Sequence, residues 1–347
     1  MPYQHNSVFV SGGTGFIAQH LIKLLLSKGY KVVASVRSRE KGERLVANFN
    51  SLNFSFEVVE AIETEGAFDE PLKRHPEVTA FFHTASPVIF ETDDVLRDLI
   101  LPAVNRTKNI LDSLKKHAYQ VKKLVVTSSR AAIAGHEQYS NPNYVIDERT
   151  YNNTSWEDSL VNGLSGYYGS KTFAEKAVWD FKRDEYPNFL VSMIMPTFTI
   201  GPQAFDAEVS PILNVTAESI NQLLSLKPTD KIPEYVDSII DVRDIAKAHV
   251  SALELEEADG KRLLIANQRF SYQLIIDILR KEFPDLTDLP MGKPIENFEE
   301  EIVNKVAKVD DKKTREILGF DYIPLKQSLI DQVDQIIRVR ESQKSSR

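Results

Sequence analysis

Cysteine is absent from the 347-residue sequence, which excludes disulfides, thiolate nucleophiles and cysteine-ligated zinc. The seven histidines are scattered, with no His-x-x-x-His or comparable spacing, so no metal centre is expected. No apolar run approaches the roughly 20 residues that span a bilayer. Met1-Pro2-Tyr3-Gln4-His5-Asn6 passes straight into an apolar segment without the signature of a secretory or transit leader, and a cytoplasmic location is expected. Positive charge is in deficit: 42 Lys and Arg face 50 Asp and Glu, for a formal net charge of −8 and a pI near 5.5. That balance disfavours nucleic acid or an anionic membrane as partner. Repeats and low-complexity tracts are lacking, and only the tail 341–347 is uniformly polar; it is expected to fray.

What is present begins with a glycine turn. Ser7-Val8-Phe9-Val10 reads as a short buried strand, and Ser11-Gly12-Gly13-Thr14-Gly15-Phe16-Ile17-Ala18 turns from it into an amphipathic stretch, 19–28. Gly12 and Gly15 let the backbone turn tightly and approach a pyrophosphate, whose charge is favoured by the amides and dipole at a helix start. Thr14, Phe16 and Ile17 lie in the same turn. The spacing is Gly-x-x-Gly-x-x-Ala, not the six-residue glycine fingerprint of most dinucleotide sites. An ordinary tight turn would use the same glycines, but its place after the first strand favours a cofactor. The second strand, 31–36, ends in Arg37-Ser38-Arg39-Glu40-Lys41. A carboxylate there would accept from a ribose 2′-hydroxyl, whereas an arginine accommodates a 2′-phosphate. Arg37, helped by Ser38 and Lys41, therefore points to NADP(H), the alternative being a solvated helix start.

Further along, Gly166-Tyr167-Tyr168-Gly169-Ser170-Lys171 places a tyrosine and a lysine four residues apart. On a helix these share a face, so the ammonium can favour the ionised phenol and lower its pKa from about 10 toward the range useful for acid catalysis. Upstream, a strand ends in Thr127-Ser128-Ser129, where the Ser129 hydroxyl can hold a carbonyl oxygen. Tyr-x-x-x-Lys alone is common in helices. In company with the turn and the strand-end serine, it describes a proton-transfer site for a carbonyl or an alcohol.

Strands three to six are expected at 54–59, 80–83, 123–127 and 190–195, alternating with helical patterns as a parallel sheet with crossover helices requires. A long helix over 93–116 is expected to break early at Pro102. The polar stretch 130–165 is long for a loop and is expected to run past the active site and deliver the helix bearing Tyr167. Another strand is expected at 235–241, and a last helix at 325–339. The fold class is α/β, a doubly wound parallel sheet with a smaller, mostly C-terminal substrate domain. The expected division is 1–199 with 233–255 for the nucleotide-binding domain and 200–232 with 256–347 for the substrate domain.

These segments together resemble the extended short-chain dehydrogenase/reductases, whose nucleotide domain is of the Rossmann type. Within that superfamily the chain is similar to the dihydroflavonol-reductase-like branch and to the NADPH-dependent aldehyde, ketone and methylglyoxal reductases of yeasts. The resemblance is carried by His83-Thr84-Ala85-Ser86-Pro87, Val126-Thr127-Ser128-Ser129, Gly169-Ser170-Lys171-Thr172-Phe173-Ala174-Glu175-Lys176 and Ile240-Asp241-Val242-Arg243-Asp244-Ile245-Ala246-Lys247-Ala248-His249, and extends over nearly the whole length. It implies a catalytic triad of Ser129, Tyr167 and Lys171, with Thr84, Ala85, Ser86, Thr127 and Pro196 beside the cofactor. Relatives often carry an aspartate where this chain has Ala61, so the adenine contact is either lost or supplied by the backbone of Ile62. Arg106 replaces a usual glycine, and Arg130 a usual small or aromatic residue, so substrate preference is open.

The implied reaction is reduction of an aldehyde or ketone by NADPH, with Tyr167 as proton donor, Ser129 on the carbonyl oxygen and Lys171 holding the ribose. Asn105 is equally well a member of a water relay or a structural residue, and His83 is expected to be structural. Positions just after strand ends supply substrate candidates: Val88, Arg130, Ala131, Ile133 and Phe198, then Leu164, Tyr168 and Phe205. The partner expected is a small carbonyl compound, the enzyme a monomer or homodimer. A sugar-nucleotide epimerase or dehydratase of the same fold, a redox sensor without turnover, and alcohol oxidation remain as other readings.

Overall fold

A computed structural model describes residues 6–86 and 91–345. Its strands are β1 (Ser7–Ser11), β2 (Lys31–Val36), β3 (Phe54–Val58), β4 (Ala80–His83), β5 (Lys123–Thr127), β6 (Val145–Ile146), β7 (Leu190–Pro196), β8 (Phe198–Ile200), β9 (Val236–Asp241), β10 (Arg262–Ile265), β11 (Gln268–Ser271) and β12 (Lys308–Val309). Seven form one sheet in the order β10-β7-β5-β4-β1-β2-β3, every pair parallel. The strands read as nearly continuous apolar runs because helices cover both faces. Side chains alternate: Phe9, Phe81, Leu124, Val126 and Met193 pack against Ile110, Leu111 and Val178 on one face. Val8, Val10, Phe82, Val125 and Ile194 pack against Leu21, Ile22 and Ile245 on the other.

The chain runs outward through β1, β2 and β3, then returns to place β4 beside β1. Connections on the two sides of that point diverge, which opens a crevice at the carboxyl ends of the strands. The Ser11 hydroxyl ties the edges of the crevice together. Its Oγ accepts from the Thr84 amide at 3.1 Å and lies 3.0 Å from His83 Nδ1. Burial pushes the His83 imidazole down to about 3, so it stays neutral and structural, as expected.

The smaller unit is built on a three-stranded sheet, β11-β9-β8, whose core combines Ile200, Ile239 and Phe270 with Ile275, Leu279, Leu329 and Val333. Here the expected division needs correcting. The strand expected at 235–241 belongs to this sheet as β9 and not to the nucleotide sheet, although the helix after it, Val242–Glu254, does pack on the large sheet beside helix Phe16–Ser27. Conversely β10, expected within the substrate domain, extends the large sheet beyond β7. An apolar run tells that a strand is buried, not which sheet it joins.

Two other expectations change. Pro102 does not end the helical run: a π-helical turn, Leu96–Ile100, leads without a gap into Leu101–His117, and the proline, which has no N–H to donate, stands just after the point where the wider turn gives way to the regular one. Helix Leu325–Ser345 continues past 341 to the end of the described residues, with Arg340 Nη2 donating to Asn221 Oδ1 at 2.7 Å. The stretch 130–165 does sweep past the crevice and lead into the helix carrying Tyr167, as expected, with short helices His136–Tyr139 and Trp156–Ser159 on the way.

Candidate active site

The glycine turn is shaped for close approach. Gly12 has φ +72°, a left-handed conformation that glycine alone adopts without penalty, and a Cβ there would lie 2.9 Å from that of Ala85. The Gly12 and Gly13 amides donate to Ser35 Oγ and Ser35 O at 3.0 and 2.8 Å, pinning the turn to β2. Helix Phe16–Ser27 then starts with Gly15 as N-cap, with no side chain capping it and no acidic residue in its first turn. Such a terminus suits a phosphate group. At the end of β2, Arg37 and Lys41 are exposed and make no ion pair among the described residues. Ser38 is already engaged as the N-cap of helix Arg39–Phe49, accepting from the Lys41 amide at 3.4 Å. Ile62 is buried just beyond β3.

The chemical groups come from two elements. Ser129 follows β5 and caps the short turn Arg130–Ala132, its Oγ accepting from the Ala131 amide at 3.1 Å. Helix Gly163–Glu185, capped by Asn162, carries Tyr167 and Lys171. Two glycines seat this helix: a Cβ at Gly166 would stand 2.3 Å from Val95 Cγ1, and one at Gly169 2.4 Å from Ser159 Cβ. A buried ion pair fixes it at the sheet edge, Arg262 Nε of β10 meeting Glu175 Oε1 at 2.6 Å. The outcome is that the Tyr167 hydroxyl donates to Ser129 Oγ at 3.3 Å, while Lys171 Nζ lies 5.8 Å from the Tyr167 ring centroid and donates to Ser86 Oγ at 2.8 Å. The three expected residues do meet.

Their electrostatics differ from expectation. Burial pushes the Tyr167 phenol above its usual value, against the opposing effects of the Ser129 hydrogen bond and the Arg130 charge. Burial also pushes the Lys171 ammonium down to about 8. The lysine thus gives up part of its own proton affinity and does not bring the phenol below 10 by itself. The phenol is held as a neutral donor, aimed at the serine.

A cleft of about 680 Å³ opens over this trio, within the range that holds a small molecule or cofactor portion. Of the expected cofactor residues, Gly15, Phe16, Ile17, Thr84, Ser86, Thr127 and Pro196 line it with Tyr167 and Lys171. Gly12, Thr14, Ala85, Arg37, Lys41 and Ile62 are not among its lining residues; they follow the ends of β1, β2, β3 and β4, with Lys41 in the first turn of helix Arg39–Phe49. Of the substrate candidates, Arg130, Ala131, Leu164, Tyr168 and Phe198 line the cleft, and Val88 lies outside the described residues. Two candidates point elsewhere. Ile133 is fully buried in the core beneath the sheet, and Phe205 packs against Phe49 with ring centroids 5.1 Å apart. Asn105 is not in the cleft either: it is exposed in the groove between helices Leu101–His117 and Gly163–Glu185, so the relay through it falls away.

The far wall of the cleft was not anticipated. It includes Asn214, Ser219, Tyr235, Asp237 and Tyr272 of the smaller unit. The signal for Asp237 was a lone carboxylate in the apolar run Tyr235-Val236-Asp237-Ser238-Ile239-Ile240, which needs a buried partner.

With this geometry in place, the family can be stated. The chain belongs to the NAD dependent epimerase/dehydratase family, whose model matches residues 8–266, and the resemblance to the extended short-chain dehydrogenase/reductases holds. Among its relatives is a putative NADPH-dependent methylglyoxal reductase of Candida albicans, 47% identical over 337 residues covering 95% of this chain and 98% of that protein. The NADPH-dependent methylglyoxal reductase of Saccharomyces cerevisiae is 41% identical, covering 96% of this chain and 98% of that one. A crystal structure of Gre2 from Candida albicans in complex with NADPH superposes with a TM-score of 0.93 at 45% identity, covering 96% of this chain and 99% of that one. No helix among the described residues is long and apolar enough to cross a membrane, and no cluster of metal-ligating side chains occurs among them.

Proposed function

We propose that this chain reduces aldehydes and ketones to alcohols with NADPH, using Ser129, Tyr167 and Lys171. The observation that carries the reading is the hydrogen bond from the Tyr167 hydroxyl to Ser129 Oγ, made over a lysine and inside a cleft continuous with an uncapped helix terminus. The turn suits the cofactor: Gly12, left-handed and packed too close to Ala85 for a Cβ, folds the chain tightly ahead of the uncapped start of helix Phe16–Ser27, and Arg37 stands exposed for a 2′-phosphate. Gly15, Phe16 and Ile17 would hold the phosphates, Thr84 to Ser86 and Pro196 the nicotinamide end, and Lys171 the ribose. Bound NADPH supplies the hydride.

The chain's own residues handle the oxygen and its proton. Ser129 Oγ, oriented by the Ala131 amide, donates to the substrate carbonyl oxygen. Tyr167, kept protonated by its burial, gives that oxygen its proton as negative charge develops on it. Lys171 presents its ammonium below the phenol and stabilises the tyrosinate left behind. The smaller unit, through Tyr235, Asp237 and Tyr272, walls the substrate side. The reading carries with it a cytoplasmic enzyme, monomeric or homodimeric, acting on a small carbonyl compound.

Loss of NADPH absorbance with a panel of aldehydes, diketones and aryl ketones, run in parallel with NADH, tests it. Turnover with NADPH and weak turnover with NADH are expected. NADPH binding without any turnover would favour the redox sensor. For the cofactor, Arg37→Asp is expected to lower kcat/KM with NADPH by about 10–100-fold, the worth of one or two hydrogen bonds to a charged group, while NADH use is kept or improved. Unchanged NADPH preference would mean that the phosphate is held elsewhere.

A further inference from the structure

Ser129 and Tyr167 ride on different elements, a turn after β5 and helix Gly163–Glu185, and their hydroxyls meet at 3.3 Å. That is already beyond the usual length of an O–H···O bond, and reacting groups must be held to within about 0.5 Å of a productive geometry. The turn therefore has to be fixed against the helix. The large sheet holds only the strand before the turn, since the stretch after it leaves that sheet.

Arg262, on the edge strand β10, is 6% exposed and has every donor engaged. Its Nε and Nη2 reach the two carboxylate oxygens of Glu175 at 2.6 and 3.2 Å. Nη2 also donates to the Ala132 carbonyl at 3.2 Å, and Nη1 donates to the Glu148 carbonyl at 3.0 Å and to that of Thr150. These bonds use all five N–H groups that a guanidinium carries. The Tyr151 ring lies against the guanidinium, 3.9 Å from its carbon to the ring centroid. Each partner leads to a reacting group. Glu175 stands one turn beyond Lys171 on the helix of Tyr167, and its Oε1 also accepts from Trp179 Nε1 at 2.9 Å. Ala132 closes the turn that Ser129 caps: its amide donates to the Ser129 carbonyl at 3.0 Å, and its carbonyl accepts from the Asn152 amide at 3.1 Å. One side chain thus joins the turn of the serine to the helix of the tyrosine. A lysine, a compact point charge on a flexible stem, could not span the same set of acceptors.

Given the reductase reading, on which this rests, we infer that Arg262 is a positioning residue for the reaction: outside the cleft lining, it acts through Ala132 and Glu175 to set the distance between the Ser129 and Tyr167 hydroxyls. A merely structural arginine and a positioning one differ in how they combine with Ser129→Ala. Loosening of the whole fold lowers activity whether or not the serine is there. Loss of positioning matters only while there is a serine hydroxyl to position.

Arg262→Lys keeps a cation beside Glu175 and gives up the fork. With NADPH and the best substrate of the carbonyl panel, kcat from single-turnover reduction is expected to fall about 10–100-fold, the scale of a misplacement by about 1 Å. KM and NADPH affinity from fluorescence titration are expected to stay within about twofold, the scatter for independent sites. Added to Ser129→Ala, the same substitution is expected to cost no more than about twofold in kcat. A second full loss in the Ser129→Ala background, a loss confined to NADPH affinity, or an unchanged kcat in Arg262→Lys overturns the assignment. If the wild-type protein turns over none of the panel, the reductase reading itself fails, and this with it. Because lysine leaves buried carbonyls without a donor, which can unfold a protein, Arg262→Met/Glu175→Leu is made alongside. An apolar pair of this kind is tolerated where a broken ion pair is not, and the same cycle with Ser129→Ala is read from it with the same expected losses.

Discussion

Tyr167→Phe is expected to lower kcat by about 10²–10⁴-fold, the usual contribution of a positioned general acid, while NADPH affinity changes little. The hydroxyl that disappears is the one that donates to Ser129 Oγ at 3.3 Å. The ring, the helix and the neighbouring Lys171 stay. Burial holds this phenol above its usual pKa, so across the neutral range it is protonated and available as a donor. Measuring single-turnover reduction together with NADPH fluorescence titration separates the two quantities. Residual activity near the wild-type level would show that another group, such as the Tyr168 hydroxyl, supplies the proton. A parallel loss of NADPH binding would show that the substitution had disturbed the cofactor side of the cleft instead.

Lys171→Met is expected to act in opposite directions on activity and on stability. Turnover should fall by at least the factor of about 10² typical of lost electrostatic stabilisation in a transition state, since the buried cation facing the phenol is removed. The folded protein, however, should become harder to unfold. Burial pushes the Lys171 ammonium down to about 8, against about 10.4 in an unfolded chain. Between those values the unfolded state binds more protons, so wild-type stability rises with pH across that window and the penalty is present in full below pH 8. It is worth about 3 kcal/mol at 1.36 kcal/mol per pKa unit. Methionine keeps most of the stem and loses the buried charge. Thermal unfolding of the cofactor-free protein at pH 7 should therefore shift upward by several degrees, and the rise between pH 8 and 10 seen in the wild type should shrink. An unchanged or lowered melting temperature would mean that the contact with Ser86 Oγ outweighs the desolvation of the ammonium.

The contrast between what was and was not legible in the sequence comes from the range of each signal. Tyr167 and Lys171 are four residues apart on one helix, and Ser129 ends a strand whose apolar run is unmistakable, so local pattern suffices for them. The glycine turn and Arg37 are likewise read from a strand and the residues at its end. The substrate wall is different. Asp237 reaches Arg130 across 107 residues of sequence, and nothing local to either segment announces the other. Position after a strand end identified the neighbourhood but not the direction of a side chain. Thus Arg130 and Phe198 face the cleft, while Ile133 turns into the core and Phe205 toward Phe49. Asn105 failed for the same reason, since its helix turns it to the outer groove. The sheet membership of β9 and β10 was hidden because both are short apolar runs that would fit either sheet.

The order of strands also sets a timetable for assembly on the ribosome. Five neighbouring strands of the large sheet, β3-β2-β1-β4-β5, come from the first 127 residues and can pair as soon as they emerge. The wall opposite them needs β9 and β11, and then the last helix, whose Gln332 Oε1 accepts from the Gly201 amide at 3.0 Å. Some two hundred further residues must be made before that contact exists, roughly 10–40 s at 5–20 residues per second. A nascent chain therefore holds a finished phosphate-side scaffold well before Asp237 can reach Arg130, and the guanidinium spends that interval in water, where waiting for its partner costs nothing.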